Sequence, residues 1–389
     1  MQACIERVCD RKGSSYKDRE EDLASYARIL TSHHLADEIY GHVTPLVAAF
    51  TRSIKSETTE RETISALKAL ALTMISFEDD VSYEGLIGLL KRTIADSQSL
   101  ATKAAAIHCL GVATGFGNSG EDELSDTLSF LCEIASSDGS YVGAADDADT
   151  VVAALQEHGF LSTYMTDLEA ESEDFVATFL DQLDSDHVEV QVAAGENIAL
   201  LYEKSYTPQE EDETESDIED ADDNSSSGDD SGGSHNGPKL IKRYNAYHNS
   251  YDISSKVHNL ASLSSRKLNK HEKRKLHQSF SSIQVTVDNP RRGLQTNNAS
   301  RMMIRIQQGG EMKVDQWWKL MRLNALRRLL QGGFVNHYYE GNKQVLDALP
   351  LIMRDTNARS SVRSPGMDKT KKGRWKNSPK RQFREFGDV

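Results

Sequence analysis

Residues Gly115 to Gly120 read Gly-Phe-Gly-Asn-Ser-Gly, a literal G-x-G-x-x-G. A dinucleotide-binding turn needs a strand before this motif and a phosphate-facing helix after it. Here a helical pattern precedes it, and the next helix opens with Glu121, Asp122 and Glu123, which would repel a pyrophosphate. The segment therefore reads as a loop between helices. His33-His34 falls at the end of a helical pattern with no carboxylate or third ligand at metal spacing, so it reads as a surface pair. Cys4-x4-Cys9 has no second ligand pair, which argues against zinc, and Cys109 and Cys132 lie on apolar helical faces as buried free thiols. His108, beside Cys109, belongs in or near the core. No P-loop, G-x-S-x-G or H-E-x-x-H occurs. These patterns predict a protein that binds rather than catalyses, with no cofactor, metal or small-molecule substrate.

The chemistry that remains is electrostatic. Near the C-terminus, Lys369, Lys371, Lys372, Arg374 and Lys376, then Lys380, Arg381 and Arg384, interleave with Trp375, Phe383 and Phe386. Lys and Arg neutralise phosphates, and an aromatic face stacks on an unpaired base for roughly 1–3 kcal/mol. The same composition suits a nuclear-import signal or a solvated arm. A second basic run, Arg266–Lys275, contains Lys270, Lys273, Arg274 and Lys275; it reads either as a weaker patch for RNA or as the wet face of a helix.

These runs belong to one half of a split chain. The net charge is −15 overall, but residues 1–237 carry 14 Lys+Arg against 49 Asp+Glu and residues 238–389 carry 31 against 11. The halves are thus −35 and +20. Between them Gln209–Asp230 holds 12 acids and no Lys or Arg, with Ser216 and Ser227 at spacings that suit an acid-directed kinase. Such a tract is too polar and self-repelling to fold, which predicts an extended linker.

The elements that must carry these charges are helical. Thr59–Ser76, Ser99–Gly115 and Asp186–Glu203 each open with polar residues and continue with apolar ones at helical spacing, such as Ile64, Leu67, Ala71, Met74 and Ile75 in the first. Thr59-x-x-Glu62 and Asp186-x-x-Glu189 resemble capping boxes. Glu62, Lys103 and Gln191 align at successive offsets of 41 and 88 residues, the latter spanning helical stretches over Ala144–Leu161 and Phe175–Leu183 that fill the missing repeat. Periods near 40–47 suit armadillo or HEAT stacking. In the basic half, alternation predicts short strands over Ser281–Asp288 and Met302–Gln307. A helix follows over Val314–Gln331, C-capped by Gly332-Gly333 and carrying Trp317 and Trp318 as packing residues, and then a second helix reaching Leu349.

The predicted fold class is mostly α. Residues 1–17 form a disordered N-terminus, 18–206 an armadillo/HEAT-like α-solenoid, and 207–238 an acidic disordered linker. Residues 239–354 form a small basic α(+β) C-terminal domain, and 355–389 a basic tail, disordered or helical. No run of 18 apolar residues and no signal-peptide core occurs, which predicts a cytosolic or nuclear protein with no membrane contact.

Four blocks carry a family resemblance: VAAGENIALLYE within Asp186–Glu203, KLNKHEKRKLHQSFSSI at Lys267–Ile283, MMIRIQQGGEMKVDQWWKLMRLNALRRLLQGGFVNHYYEGN at Met302–Asn342, and the terminal RQFREFGDV. In this order they resemble the interferon-related developmental regulator family. The Pro- and Gly-interrupted tail and the long acidic tract depart from the pattern. The resemblance implies a repressor of translation whose helical repeats rest on the ribosome and rRNA while its C-terminal segment enters the mRNA path. It equally implies a transcriptional co-regulator contacting histone-deacetylase-type co-repressor complexes.

Overall fold

In the computed structural model, the described residues are 1–11, 13–77, 84–117, 119–208, 240–262, 268–292, 303–305, 310–349 and 352–353. The helices are α1 (Gln2–Cys9), α2 (Tyr16–Ser32), α3 (Ala36–Ile39), α4 (Val43–Ser56), α5 (Glu60–Met74), α6 (Glu84–Asp96), α7 (Leu100–Phe116), α8 (Glu121–Ser136), α9 (Ala148–Ser162), α10 (Glu169–Gln182) and α11 (Val188–Lys204). After the acidic tract come α12 (Ser250–Ser262), α13 (Lys270–Asp288), α14 (Trp317–Leu330), α15 (Phe334–Tyr339) and α16 (Lys343–Ala348). The protein is mostly helical, and its helices pack pairwise in the manner of a helical repeat.

The pairing is regular. Helices α2, α5, α7, α9, α11 and α13 pack side by side in that order as an inner layer, and α1, α4, α6, α8, α10 and α12 each pair with one of them from outside. Local capping sets the starts: Ser15 and Asp18 form a capping box at α2, as do Asn269 and Glu272 at α13, and Thr59, Ser99 and Asp147 each accept from a backbone N–H in the first turn of α5, α7 and α9. Inner helices are buried on nearly every side; in α5, Ala66, Leu67, Ala69, Leu70, Ala71, Leu72 and Met74 are all inaccessible. A helix apolar all round has neighbours all round.

The residues aligned by repeat share a structural task. Near the start of each inner helix, the aligned side chain ties back to the end of its outer partner. Glu62 accepts from Ser53 Oγ at 2.8 Å, Lys103 Nζ donates to the carbonyls of Ile94 and Ala95 at 2.7 and 2.9 Å, and Gln191 Nε2 donates to Leu183 O at 3.0 Å.

Several expectations need correction. Residues 1–17 are not featureless: α1 buries Cys4, Ile5 and Val8, an apolar stripe too short to stand out from flanking charge. At Asp186-x-x-Glu189 the N-cap is His187, without a side-chain bond, and at Thr59 only the forward half of the box forms because Glu62 is used elsewhere. Ser281–Asp288 is the last part of α13, not a strand; its alternating Ile283 and Val287 also fall at helical i, i+4 spacing, and both are buried. Within Met302–Gln307 the strand is β3 (Met303–Arg305), antiparallel to β4 (Gly310–Lys313), with β4 also pairing with β5 (Ile352–Met353). Helix α14 starts at Trp317 and ends at Leu330, and Gln331, not glycine, takes the positive φ of 51° at its C-cap.

The largest correction concerns the basic half. Strand β1 (Tyr206–Pro208) pairs antiparallel with β2 (Leu240–Lys242), Pro208 opposite Leu240. The residues on either side of the acidic run are thus paired neighbours in one sheet. Beyond it, α12 and α13 extend the helical array, and α14 doubles back over α11, α9, α5 and α2. Residues 239–354 therefore share one continuous core with the first half instead of forming a separate domain. The acidic run itself, including Ser216 and Ser227, and the tail at 355–389 lie outside the described residues.

Candidate nucleic-acid interface and the polar seam under helix 14

Of the predicted RNA-binding residues, Lys270, Lys273, Arg274 and Lys275 are placed, all in the first two turns of α13. The opposite face of that helix explains their position. Leu276, Phe280, Ile283 and Val287 are buried against α11 and α12, and at Gly195 of α11 a Cβ would come within 2.8 Å of Ile283 and 3.1 Å of Phe280. Lys270 and Arg274, four residues apart, are left exposed, while Lys273 and Lys275 are half-buried. Lys275 Nζ pairs with Glu189 at 3.0 Å. Cations are disfavoured at a helix N-terminus, where the dipole is positive, and only Glu272 is acidic in the first turn. This corner of the molecule is therefore undercompensated. Lys369, Lys371, Lys372, Arg374, Trp375, Lys376, Lys380, Arg381 and Arg384 lie outside the described residues.

The basic side chains of α14 have other work. Trp317 is buried and donates through Nε1 to Thr286 Oγ1 at 2.7 Å; Trp318 is half-buried and donates to Gln316 Oε1 at 2.9 Å. Both indoles pack the fold. Arg322 stacks on Tyr164 (4.1 Å to the ring centre) and Trp318 (5.1 Å), and donates to the Thr163 carbonyl at 3.0 Å. Lys319 pairs with Asp315 at 2.7 Å, and Arg328 with Glu157 of α9 at 2.7 Å.

Under α14 runs a seam of carboxylates that the sequence reading missed. Glu157 is buried, and its Oε1 meets His108 Nδ1 and Arg328 Nη2, each at 2.7 Å. Burial opposes its charge, yet Arg328 and His108 hold the carboxyl below the usual range. Glu203 accepts from the backbone N–H of Trp317 (2.9 Å) and Trp318 (3.2 Å), capping a helix that lacks a cap of its own. Burial pushes it up to about 7 despite those bonds. Glu196, on α11, is likewise pushed up to about 7 by burial, with Lys275 and Arg328 opposing. The signal was available: Glu157 and Glu196 fall mid-helix next to apolar runs, Val151–Leu155 and Val192–Gly195, and an acid at such a position is costly to bury.

Glu196 gives a pH prediction. Its folded pKa lies above the ordinary 4.5, so the folded state holds the proton more tightly. Stability from this group is full below pH 4.5 and is lost as pH rises through 7. Glu196→Gln should match the parent in urea unfolding at pH 4 and exceed it by about 2–3 kcal/mol at pH 8. An equal difference at both pH values would remove the ionised carboxylate as the cause.

His33 and His34 do meet a carboxylate, supplied from far along the chain. Glu340 Oε1 lies 2.9 Å from His33 Nδ1 and its other oxygen accepts from the His34 backbone N–H. Together with His337 Nε2 on Leu30 O at 2.7 Å, this pins α15 to the end of α2. Among the described residues no group of three His, Cys, Asp or Glu side chains could hold a metal, and no helix is long and apolar enough to cross a membrane. Gly115 and Phe116 lie within α7 and Gly120 caps α8, so the glycine motif joins two helices, with Asn118 outside the described residues. Cys109 is buried, its thiol pushed up to about 12 by burial, whereas Cys132 is only half-buried beside Thr178.

Paired helices stacked as an inner and an outer layer, with α14 returning over the inner one, define a helical-repeat protein whose placed polar groups hold the fold. The sequence pattern of the interferon-related developmental regulators matches residues 1–288, ending at the last residue of α13. The chain belongs to that family. It is also similar to an uncharacterized protein of the fission yeast Schizosaccharomyces pombe, 26% identical over 344 residues, covering 87% of this chain and 71% of the relative. Membership points to a regulatory role.

Proposed function

We propose that the protein is a non-enzymatic, ribosome- and RNA-binding regulator that represses translation, its α-solenoid docking on the ribosome and its basic C-terminal segment lying in the mRNA path. The observation that carries this reading is the inversion of charge along the chain, −35 before Pro238 and +20 from there on. The exposed cations Lys270 and Arg274 at the start of α13 add to it, since an RNA phosphate would complement them. The alternative, a nuclear scaffold for co-repressor peptides, needs an open inner groove. Helix α14 covers that face, which favours the first reading.

Sedimentation tests it. At physiological salt the full chain should travel with ribosomal particles, and a chain ending at residue 354 should fold but stay in the soluble fraction. Binding of the full chain to single-stranded RNA should weaken with salt, log K falling with a slope of about −4 to −6 if six to eight phosphates are neutralised. Trp375→Ala should weaken binding by roughly 1–3 kcal/mol at constant slope, whereas replacing Lys371 and Lys372 should flatten the slope. Unchanged sedimentation of the shortened chain would sink the tail as the main contact. A full chain found only in the soluble fraction would favour the scaffold.

A further inference from the structure

At the opposite end of the array from α13, three arginines converge in the acidic half. Arg11, Arg19 and Arg52 line a cavity of about 260 Å³ with Ser56, Thr58 and Glu62. The one carboxylate in it is Glu62, which is fully buried and accepts from Arg11 Nη2 at 2.7 Å and from Arg19 Nε and Nη2, both at 2.9 Å. Ser53 Oγ donates to the same carboxylate. Glu62 therefore neutralises one guanidinium of three, and the cavity keeps a surplus of two positive charges.

Donors are also left over. Arg11 uses one of its nitrogens, Nη2, on Glu62 and on Ser53 Oγ, and its side chain is only 14% exposed. Arg52 makes no hydrogen bond or ion pair among the described residues, and it repels Arg11. A desolvated guanidinium beside an unpaired one is costly unless an anion joins them. Glu62, at the start of α5, holds Arg11, between α1 and α2, and Arg19, on α2, while the exposed Arg52 of α4 stands beside them.

We propose that this cavity binds the phosphomonoester of a phosphorylated side chain on a partner peptide whose flanking residues are basic. The local charges select that source. Beside Thr58, which lines the cavity, the chain is acidic: Glu57 and Glu60 flank Thr58 and Thr59 and accept from Ser97 and Ser99, and Glu20 accepts from Thr59 and pairs with Arg61. One phosphate is accommodated, while a run of phosphates would be repelled, so RNA fits poorly. The same acids repel a phosphorylated serine within the chain's own acidic tract. They attract Lys or Arg beside the phosphate.

The test uses the full chain and a labelled, capped hexapeptide with a central phosphoserine flanked by arginines, read by fluorescence anisotropy at 150 mM salt. On an acidic protein, adding a phosphate to a basic peptide should weaken attraction unless a cationic cavity receives it. The phosphopeptide should bind at least about tenfold more tightly than its serine counterpart, and Arg52→Ala should remove about tenfold of affinity. Arg52 is exposed and unbonded, so this variant should unfold at the parent's temperature. The chain ending at 354 should bind the phosphopeptide as the parent does, which separates this site from the tail-borne function proposed above. Equal affinity for the serine peptide, or no effect of Arg52→Ala, overturns the site. Displacement by inorganic phosphate as readily as by unlabelled phosphopeptide reduces it to an ion site and overturns the peptide ligand. Stronger displacement by a single-stranded oligoribonucleotide overturns it in favour of RNA.

Discussion

A chain ending at residue 316 should fail to form a stable helical array, although every inner-layer helix from α2 to α13 is present. Trp317, Met321, Leu323, Leu326, Leu330, Phe334 and Val345 are buried in the common core. At 1.5–3 kcal/mol per side chain, discounted for apolar burial already present in the unfolded chain, their loss costs about 10 kcal/mol. That equals the whole stability of an ordinary domain. The facing residues of α5, α9 and α11 would be left open to water, and Glu203 would lose the two N–H groups it caps. Chains ending at 316 and at 354 should therefore differ sharply. The longer should unfold cooperatively in urea, and the shorter should lose near-ultraviolet dichroism and aggregate. If both share one midpoint, α14 is a surface appendage and the continuous core described here is wrong.

This contrast shows where sequence reading reached its limit. The helical repeat was legible because Thr59–Ser76, Ser99–Gly115 and Asp186–Glu203 repeat one polar-then-apolar pattern, and stacking is how such helices bury their faces. The return of α14 was not legible. Its amphipathic face predicts a partner without saying which, and the change of charge at Pro238 suggested a boundary where the chain continues the same array. Three contacts that fix the return are made by backbone or by distant pairs, and none leaves a local pattern. At Gly333 a Cβ would sit 1.8 Å from the carbonyl oxygen of Thr31; Asn342 Nδ2 donates to Ile75 O at 3.1 Å; Gln344 Nε2 donates to Phe116 O at 3.2 Å. As for the candidate interface, the four cations of α13 could be named from sequence, but which of them face outward depended on Ser281–Asp288 being helix. Alternation of Ile283, Val285 and Val287 fits both periods over eight residues, and only the continuation into Leu276 and Phe280 separates them.

The second large effect is expected at Glu157. Replacing it with Leu removes the partner of Arg328, whose side chain is 24% exposed, and leaves His108 Nδ1 without its acceptor. Breaking one side of a buried pair costs about 3–5 kcal/mol, most of it from the charge left behind. Arg328→Leu should cost a similar amount for the opposite reason, since Glu157 would then be buried with His108 alone to oppose it. If the cost is stranded charge, the two changes should not add. The double variant, with two leucines facing each other between α9 and α14, should cost no more than either single change, giving a coupling of at least about 3–5 kcal/mol in a double-mutant cycle. Acid provides an independent check on the same pair. Because the folded carboxyl titrates below its ordinary 4.5, its stabilisation is complete above that pH and is lost as pH falls through the folded value. The parent should accordingly lose stability below pH 4.5 more steeply than the double variant. Additive single effects would mean instead that Glu157 acts through packing. The crowding at Gly111, where a Cβ would lie 2.1 Å from Glu157 Oε2, would then be the reason for its place between α7 and α9.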